Sequence, residues 1–286
     1  FDEFYKRFFS ITQDSWKYYA KFQPSSGKVM KNVAHPIWGP LIRKLYRFEG
    51  ENYHTQAHIL PINKSLDKSE RLAQSRITPS ELVRKAVEAS SYRIILHKCL
   101  CRDGLECKDY PIDIGCLMLG EACRRMVATG IAKSVTVEQA LAHLDKASEL
   151  GLVPICAWAE FEAIAKGISD EDHTNYFEVC FCCPCCCLWK ILPDISPEIG
   201  DTVSRMPGIT MRVTDDCIGC GTCTKEVCFV NAIHLEDKRA VIDEASCRGC
   251  GRCVPVCPQE AIEVVIDDEN FISESIRRLE NVVDVT

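Results

Sequence analysis

The sequence predicts an α+β protein: a mainly helical, cysteine-rich amino-terminal domain followed by a small repeated domain near the carboxy terminus. Three observations carry this. The 20 cysteines among 286 residues are clustered, not scattered, which favours metal ligation over a secreted disulfide framework. Helix-start signals alternate with short apolar runs between Thr78 and Lys190. One cysteine-rich stretch recurs about 30 residues later near the end of the chain. The apolar fraction of 47% is ordinary for a globular chain and is enough to build cores. The predicted divisions are 1–77, an irregular and helical wrapping segment; 78–192, a cysteine-rich metal-cluster domain; 193–208, a linker; 209–268, the repeated domain; and 269–286, a helical tail.

The elements follow in order. Phe1, Phe4, Tyr5, Phe8, Ile11 and Trp16 fall at helical spacing and predict an amphipathic docking helix over 1–20. Asp2, Glu3 and Asp14 argue against a membrane-surface role for it. Residues 21–77 mix Pro, Gly, Ser and aromatics, which predicts irregular structure with one short helix near Leu41–Phe48. Thr78, Pro79 and Glu81 form a capping box whose helix runs to about Ala89. SYRIILHKCLC predicts a strand through Ile94, Ile95 and Leu96 that delivers Cys99 and Cys101. GCLMLGEACRRMVATG predicts a second helix ending at Gly130, with Cys123 two turns after Cys116. Thr136 and Gln139 cap a third, which stops at Gly151. AWAEFEAIAKG predicts a fourth, and NYFEVCFCC starts like a strand. Three prolines and two glycines then interrupt any regular element across 190–208. In the tail, Ile272, Ile276, Leu279 and Val282 return to helical spacing.

Twelve cysteines precede the repeat. Cys123 and Cys156 lie among apolar or small residues and read as core packing. Cys99, Cys101, Cys107 and Cys116 sit on a polar loop, where bare thiols would be exposed to oxidation, so ligation is the better reading. EVCFCCPCCCLWK adds Cys180, Cys182, Cys183, Cys185, Cys186 and Cys187. Neighbours on a strand point to opposite faces, so Cys182 and Cys183 do not readily serve one cluster. Pro184 bends the chain there. This suits two metal sites on either side of the segment, or one cluster of unusual shape. The tandem cysteines resemble the CCG segments of heterodisulfide reductase catalytic subunits, with Cys182-Cys183-Pro184 in place of CCG. The whole arrangement is similar to that of poorly characterised iron–sulfur proteins of anaerobes.

In the repeat, TDDCIGCGTCTKEVCFVNAI matches EASCRGCGRCVPVCPQEAI. The second copy reads Cys247-x2-Cys250-x2-Cys253-x3-Cys257-Pro258, the bacterial iron–sulfur run. The first reads Cys217-x2-Cys220-x2-Cys223-x4-Cys228. Three cysteines at this spacing reach three corners of one cubane from a single tight loop. The fourth lies too far along the chain and ligates the cluster of the other half. Zinc is the competing reading, but zinc knuckles favour paired CxxC motifs.

This segment resembles bacterial-type ferredoxins with two [4Fe–4S] clusters. The resemblance implies a ferredoxin-like βαββαβ fold, with HLEDKRAVI as the central hairpin. It implies that Cys217, Cys220, Cys223 and Cys257 hold one cluster, and Cys247, Cys250, Cys253 and Cys228 the other. The extra residue before Cys228 is expected to be absorbed as a bulge.

The function this implies is single-electron transfer between the two ferredoxin clusters and one or two further iron–sulfur clusters. Ligands of the latter would be a subset of Cys99, Cys101, Cys107, Cys116, Cys180, Cys182, Cys183, Cys185, Cys186 and Cys187. The expected context is a multi-subunit oxidoreductase in the cytoplasm of an anaerobe, with attachment to a membrane through a partner as the alternative. A reductase with its catalytic cluster in the amino-terminal domain, or an iron–sulfur redox sensor, are the alternatives. Residues 209–268 carry eleven acidic against six basic residues, so the expected partner is a redox protein with a positive docking patch. A formal net charge of −7 argues against a nucleic-acid surface. No apolar run reaches the roughly 18–20 residues of a membrane helix. No dinucleotide fingerprint or P-loop is present. The chain begins at Phe1, which leaves a removed leader open.

Overall fold

A computed structural model describes residues 11–45, 55–59, 79–159, 163, 165–168, 172–195, 200, 203–206, 208–266, 273, 277 and 284–286. In chain order the helices are α1 (Trp16–Met30), α2 (Gly39–Leu45), α3 (Pro79–Ala89), α4 (Leu100–Gly104), α5 (Arg124–Ala128) and α6 (Val137–Glu149). The strands are β1 (Thr55–Ile59), β2 (Arg93–Leu96), β3 (Leu117–Leu119), β4 (Ala132–Ser134), β5 (Val153–Ala159), β6 (Phe177–Cys182), β7 (Val203–Arg205), β8 (Ile209–Val213), β9 (Ile233–Glu236), β10 (Arg239–Ile242) and β11 (Ile262–Ile266).

Seven strands form one sheet in the order β4-β2-β3-β6-β5-β1-β7. Its pairings are antiparallel except β1 with β7. This corrects the expectation of a mainly helical amino-terminal domain: the sheet is its centre. Two strands also fall where none was predicted, β1 within the wrapping segment and β7 within the linker.

The misread segment is GCLMLGEACRRMVATG. Leu117, Met118 and Leu119 are all fully buried, as befits a strand covered on both faces, whose run of apolar residues does not alternate. Gly120 then takes φ +100, which no helix interior accepts. Only Arg124–Ala128 of the predicted helix forms, after a short 3-10 turn at Glu121–Cys123. Cys116 and Cys123 therefore share no helix face. The predicted fourth helix begins instead as the end of β5, and most of its remainder lies outside the described residues. So do most of the predicted helix over 1–20 and most of the tail. α1 runs on to Met30, where irregular structure was expected.

Other predictions match the structure. α3 ends at Ala89 and β2 spans Arg93–Leu96. At the start of α6, Gln139 N donates to Thr136 Oγ1 at 3.3 Å and Thr136 N donates to Gln139 Oε1 at 3.0 Å. The two helices pack together through buried Leu82, Val83, Val87, Ala140 and Leu144, with the Arg84–Asp145 ion pair at their rim.

The repeated domain has β8 paired antiparallel with β11, and the hairpin β9–β10. Asp237 and Lys238, at φ +45 and +61, make the hairpin turn. The domain has four strands in two pairs, and where the expected βαββαβ order has helices the described residues show a 3-10 turn at Thr222–Thr224 and turns after Cys250. The extra residue of the first copy shows as Glu226 at φ +56, which has no counterpart before Cys257. No helix among the described residues is long and apolar enough to cross a membrane.

Candidate metal centres

The two cysteine loops of the repeat fold back on each other because β8 and β11 join the ends of the domain. Each fourth cysteine is thereby carried to the opposite loop. One cavity, about 310 Å³ and partly open to solvent, is lined by Cys217, Cys220, Cys223 and Cys257. A second, about 370 Å³, is lined by Cys228, Cys247, Cys250 and Cys253. Backbone N–H groups aim at the sulfurs in both halves. Ala232 N donates to Cys228 Sγ and Ala261 N to Cys257 Sγ, both at 3.3 Å. Ala240 N reaches Cys217 Sγ and Gly249 N reaches Cys247 Sγ, both at 3.4 Å. Such donors favour thiolate ligands over neutral thiols. Burial pushes the Cys250 thiol up to about 12 and raises Cys253 as well, so thiolates there need a nearby cation of the kind an iron centre supplies. Four converging sulfurs, a cavity and aimed donors fit an iron–sulfur group in each half. Cys220 is exposed and marks the solvent-facing end.

Gly219 is the tightest point of the first loop. It holds φ +68, and a Cβ there would stand 1.9 Å from Lys238 O. At Gly221, φ +74, the nearest contact to a Cβ would be the Leu235 side chain at 3.3 Å. Gly219→Ala is expected to displace the hairpin and lose about four irons per chain, with Gly221→Ala milder. Anaerobic iron analysis of both variants checks this; equal iron in the two would contradict it.

The amino-terminal cysteines divide into two groups. β6 delivers Cys180 and Cys182, then stops, and the chain turns through Pro184–Cys186. Cys107, Cys183, Cys185 and Cys186 converge, with all four Sγ atoms within 4.8 Å of one another. Cys107 and Cys185 Sγ are 3.5 Å apart, and Cys186 N donates to Cys183 Sγ at 3.4 Å. The second group is a basin of six: Cys99, Cys101, Cys116, Cys180, Cys182 and Cys187. Its links are Cys99 to Cys101, Cys116 to Cys180 at 3.5 Å, and Cys182 to both Cys180 and Cys187. Cys101 lies close enough to Cys182 and Cys187 to feel their charge. The bond from Cys101, aided by the Arg102 cation, pulls the Cys99 thiol down to about 6. Its partner Cys101 is raised well above the ordinary thiol range by the same bond and by burial.

Cys123 and Cys156 are fully buried, and Cys123 Sγ donates to Leu119 O at 3.2 Å. Both belong to the apolar core.

Four residues around the basin, Arg102, Lys166, Tyr176 and Glu178, escape a reading of the sequence. Arg102, 1% exposed, lies between the two thiol groups. It donates to Pro111 O at 2.9 Å, to Phe181 O at 2.6 Å and to Ile114 O. It also bonds Cys183 and lies near Cys99 and Cys116. Glu178 accepts from Cys180 Sγ at 3.1 Å and pairs with buried Lys166 and Tyr176. A lone carboxylate between Phe177 and Val179 on a buried strand was the one signal in the sequence.

The repeated domain is tied to the rest. Arg252, between Cys250 and Cys253, donates to Gly151 O at 2.9 Å and Tyr110 Oη at 3.1 Å. Val153, Ile155, Ala157, Phe229, Val230 and Ala232 form one apolar cluster, and Cys180, Cys182, Cys228, Cys247 and Cys250 all pack against it.

Comparison with known proteins bears on the repeat. A family model described as a 4Fe-4S dicluster domain matches residues 216–261. One component of an ion-translocating oxidoreductase complex from Methanosarcina acetivorans is 50% identical over 48 residues, which are 17% of this chain and 18% of that protein. The corresponding component of a Na(+)-translocating ferredoxin:NAD(+) oxidoreductase complex from Acetobacterium woodii is 41% identical over 71 residues, 22% of this chain and 21% of that one. The chain spans about a fifth of the length of these two relatives. Ferredoxin-1 of Chlorobaculum tepidum is 40% identical over 60 residues, 19% of this chain but 95% of the ferredoxin. No solved structure matches. The domain holds iron–sulfur clusters and serves electron transfer. A small ferredoxin matched along nearly its whole length leaves one assignment, and through residues 216–261 the chain belongs to the family of ferredoxins with a 4Fe-4S dicluster domain.

Proposed function

We propose that this chain relays single electrons from its surface to a further iron–sulfur cluster in the amino-terminal domain. Cys217, Cys220, Cys223 and Cys257 hold the outer cubane. Cys247, Cys250, Cys253 and Cys228 hold the inner one. The third cluster takes its ligands from the six-thiol basin. The observation that carries this is the shared apolar cluster: the inner cysteines Cys228, Cys247 and Cys250 and the basin cysteines Cys180 and Cys182 all pack against it. Electrons then pass through this apolar cluster. The clusters supply the redox chemistry; the chain sets spacing, burial and charge.

The exposed Cys220 end faces a redox partner, and the acidic excess of the domain suits a partner with a positive patch. The two relatives from oxidoreductase complexes support placing the chain within such an assembly. Six thiols exceed the four ligands of a cubane, which favours a second reading in which the basin cluster also reduces a substrate. Turnover of disulfides or thioesters with an artificial reductant would reveal it.

The test is acid-labile sulfide and EPR on the anaerobically purified full chain. About twelve sulfides, with a spectrum of magnetically coupled clusters on full reduction, are expected for three cubanes. About eight, with a spectrum unchanged by replacing Cys116 and Cys180 with serine, would remove the third cluster and with it the relay.

A further inference from the structure

We propose that Cys107, Cys183, Cys185 and Cys186 bind a single soft divalent ion, zinc or ferrous iron, in a tetrathiolate site separate from every cluster. The argument is one of spacing. Metal–thiolate bonds of about 2.3 Å set the sulfurs of a tetrahedral one-ion site roughly 3.8 Å apart. The four Sγ atoms here all lie within 4.8 Å, and one pair is at 3.5 Å. A cubane has its irons at four separate corners, so its ligand sulfurs stand farther apart than those sharing one ion.

The ferredoxin half serves as an internal comparison. Its eight cysteines line two open cavities, and among the described residues none of them joins a group of three or more ligand atoms converging within 4.8 Å. The ferredoxin half thus holds its cluster ligands apart, whereas these four come together.

The local chain is built for a single ion. Cys183-Pro184-Cys185-Cys186 contains a CxxC pair on a turn, a spacing that suits zinc. The bond from Cys186 N to Cys183 Sγ steadies one thiolate. Cys107 arrives from the other side, 78 residues before Cys185. Four thiolates outweigh the ion by two charges, and Arg102, bonded to Cys183, offsets one of them.

The site staples the loop 99–116 to the turn after β6. That loop carries Cys99, Cys101 and Cys116, and the strand and turn carry Cys180, Cys182 and Cys187. The ion therefore closes the basin without being part of it. The positioning role rests on the relay reading above; the metal site does not.

The experiment uses the full chain, purified anaerobically with both metals supplied. Zinc, iron and acid-labile sulfide are counted for the wild type and for Cys107→Ser. The expected wild type carries one ion per chain beyond the iron matched by sulfide. Cys107→Ser loses that ion with sulfide unchanged. Loss as zinc, or as iron with a mononuclear high-spin ferric signal after oxidation, distinguishes the two ions. Iron equal to sulfide with no zinc in the wild type overturns the proposal. So does loss of about four irons with four sulfides from Cys107→Ser, or loss of no metal. If Cys107→Ser does not fold, the wild-type counts decide alone. A missing third cluster lowers sulfide and leaves the extra ion in place, so the two proposals fail separately.

Discussion

Arg102→Met is expected to lower stability by about 3–5 kcal/mol, because it strips three backbone carbonyls, two of them in buried bonds, of their donor. Pro111 and Ile114 lie on the loop that carries Cys107 and Cys116. Phe181 lies between Cys180 and Cys182. One planar guanidinium joins both banks of the basin, since its donors point in fixed, divergent directions. Methionine fills much of the volume but donates nothing. Arg102→Lys keeps the charge and presents one compact ammonium, so it should restore less than half of the loss. The measurement is the denaturation midpoint of the anaerobically purified chain, together with its iron and sulfide. Loss of amino-terminal metal should accompany the fall in midpoint. An unchanged midpoint in Arg102→Met would show that the carbonyls find other partners.

Lys166→Met is expected to cost a similar 3–5 kcal/mol, for a different reason. The side chains of Lys166 and Glu178 are 8% and 3% exposed. Taking away the ammonium leaves a carboxylate buried with Tyr176 and Cys180 as its neighbours. The hydroxyl of Tyr176 can still donate, but it carries no charge to balance the carboxylate. Removing the charge as well should recover part of the loss. The double variant Lys166→Met, Glu178→Gln is therefore expected to be more stable than Lys166→Met alone, and a double-mutant cycle measures the coupling. Thermal midpoints of the four proteins suffice. A double variant no better than the single one would mean that the pair contributes by packing, not by charge.

Much of the carboxy-terminal domain was legible because its signals are local. The triple CxxCxxC loops, the glycines within them and the hairpin HLEDKRAVI each specify a backbone path over a few residues. The α6 capping box and the strand β2 are local in the same sense. GCLMLGEACRRMVATG failed because an apolar run buried on both faces carries no period, and the fate of Leu117–Leu119 depends on β2 and β6 pairing to either side. The continuation of α1 over 21–30 was missed because its sequence WKYYAKFQPSSGKVM has a proline, a glycine and two serines, and α1 lies against α4, with Trp16 Nε1 bonded to Asp103 at 2.7 Å. β1 and β7 exist as strands through each other and through β5.

The sequence by itself determined the ferredoxin repeat, its eight cysteines and the presence of a second thiol-rich region, because spacing along one chain is what those features consist of. Only the tertiary structure decided how the other ten thiols divide. Cys107 meets Cys183, Cys185 and Cys186, while Cys99, Cys101 and Cys116 meet Cys180, Cys182 and Cys187, across separations that no local pattern encodes. The same holds for Arg102 and Lys166: each looks like an ordinary surface cation until the sheet closes over it, and burial is a property of the whole fold.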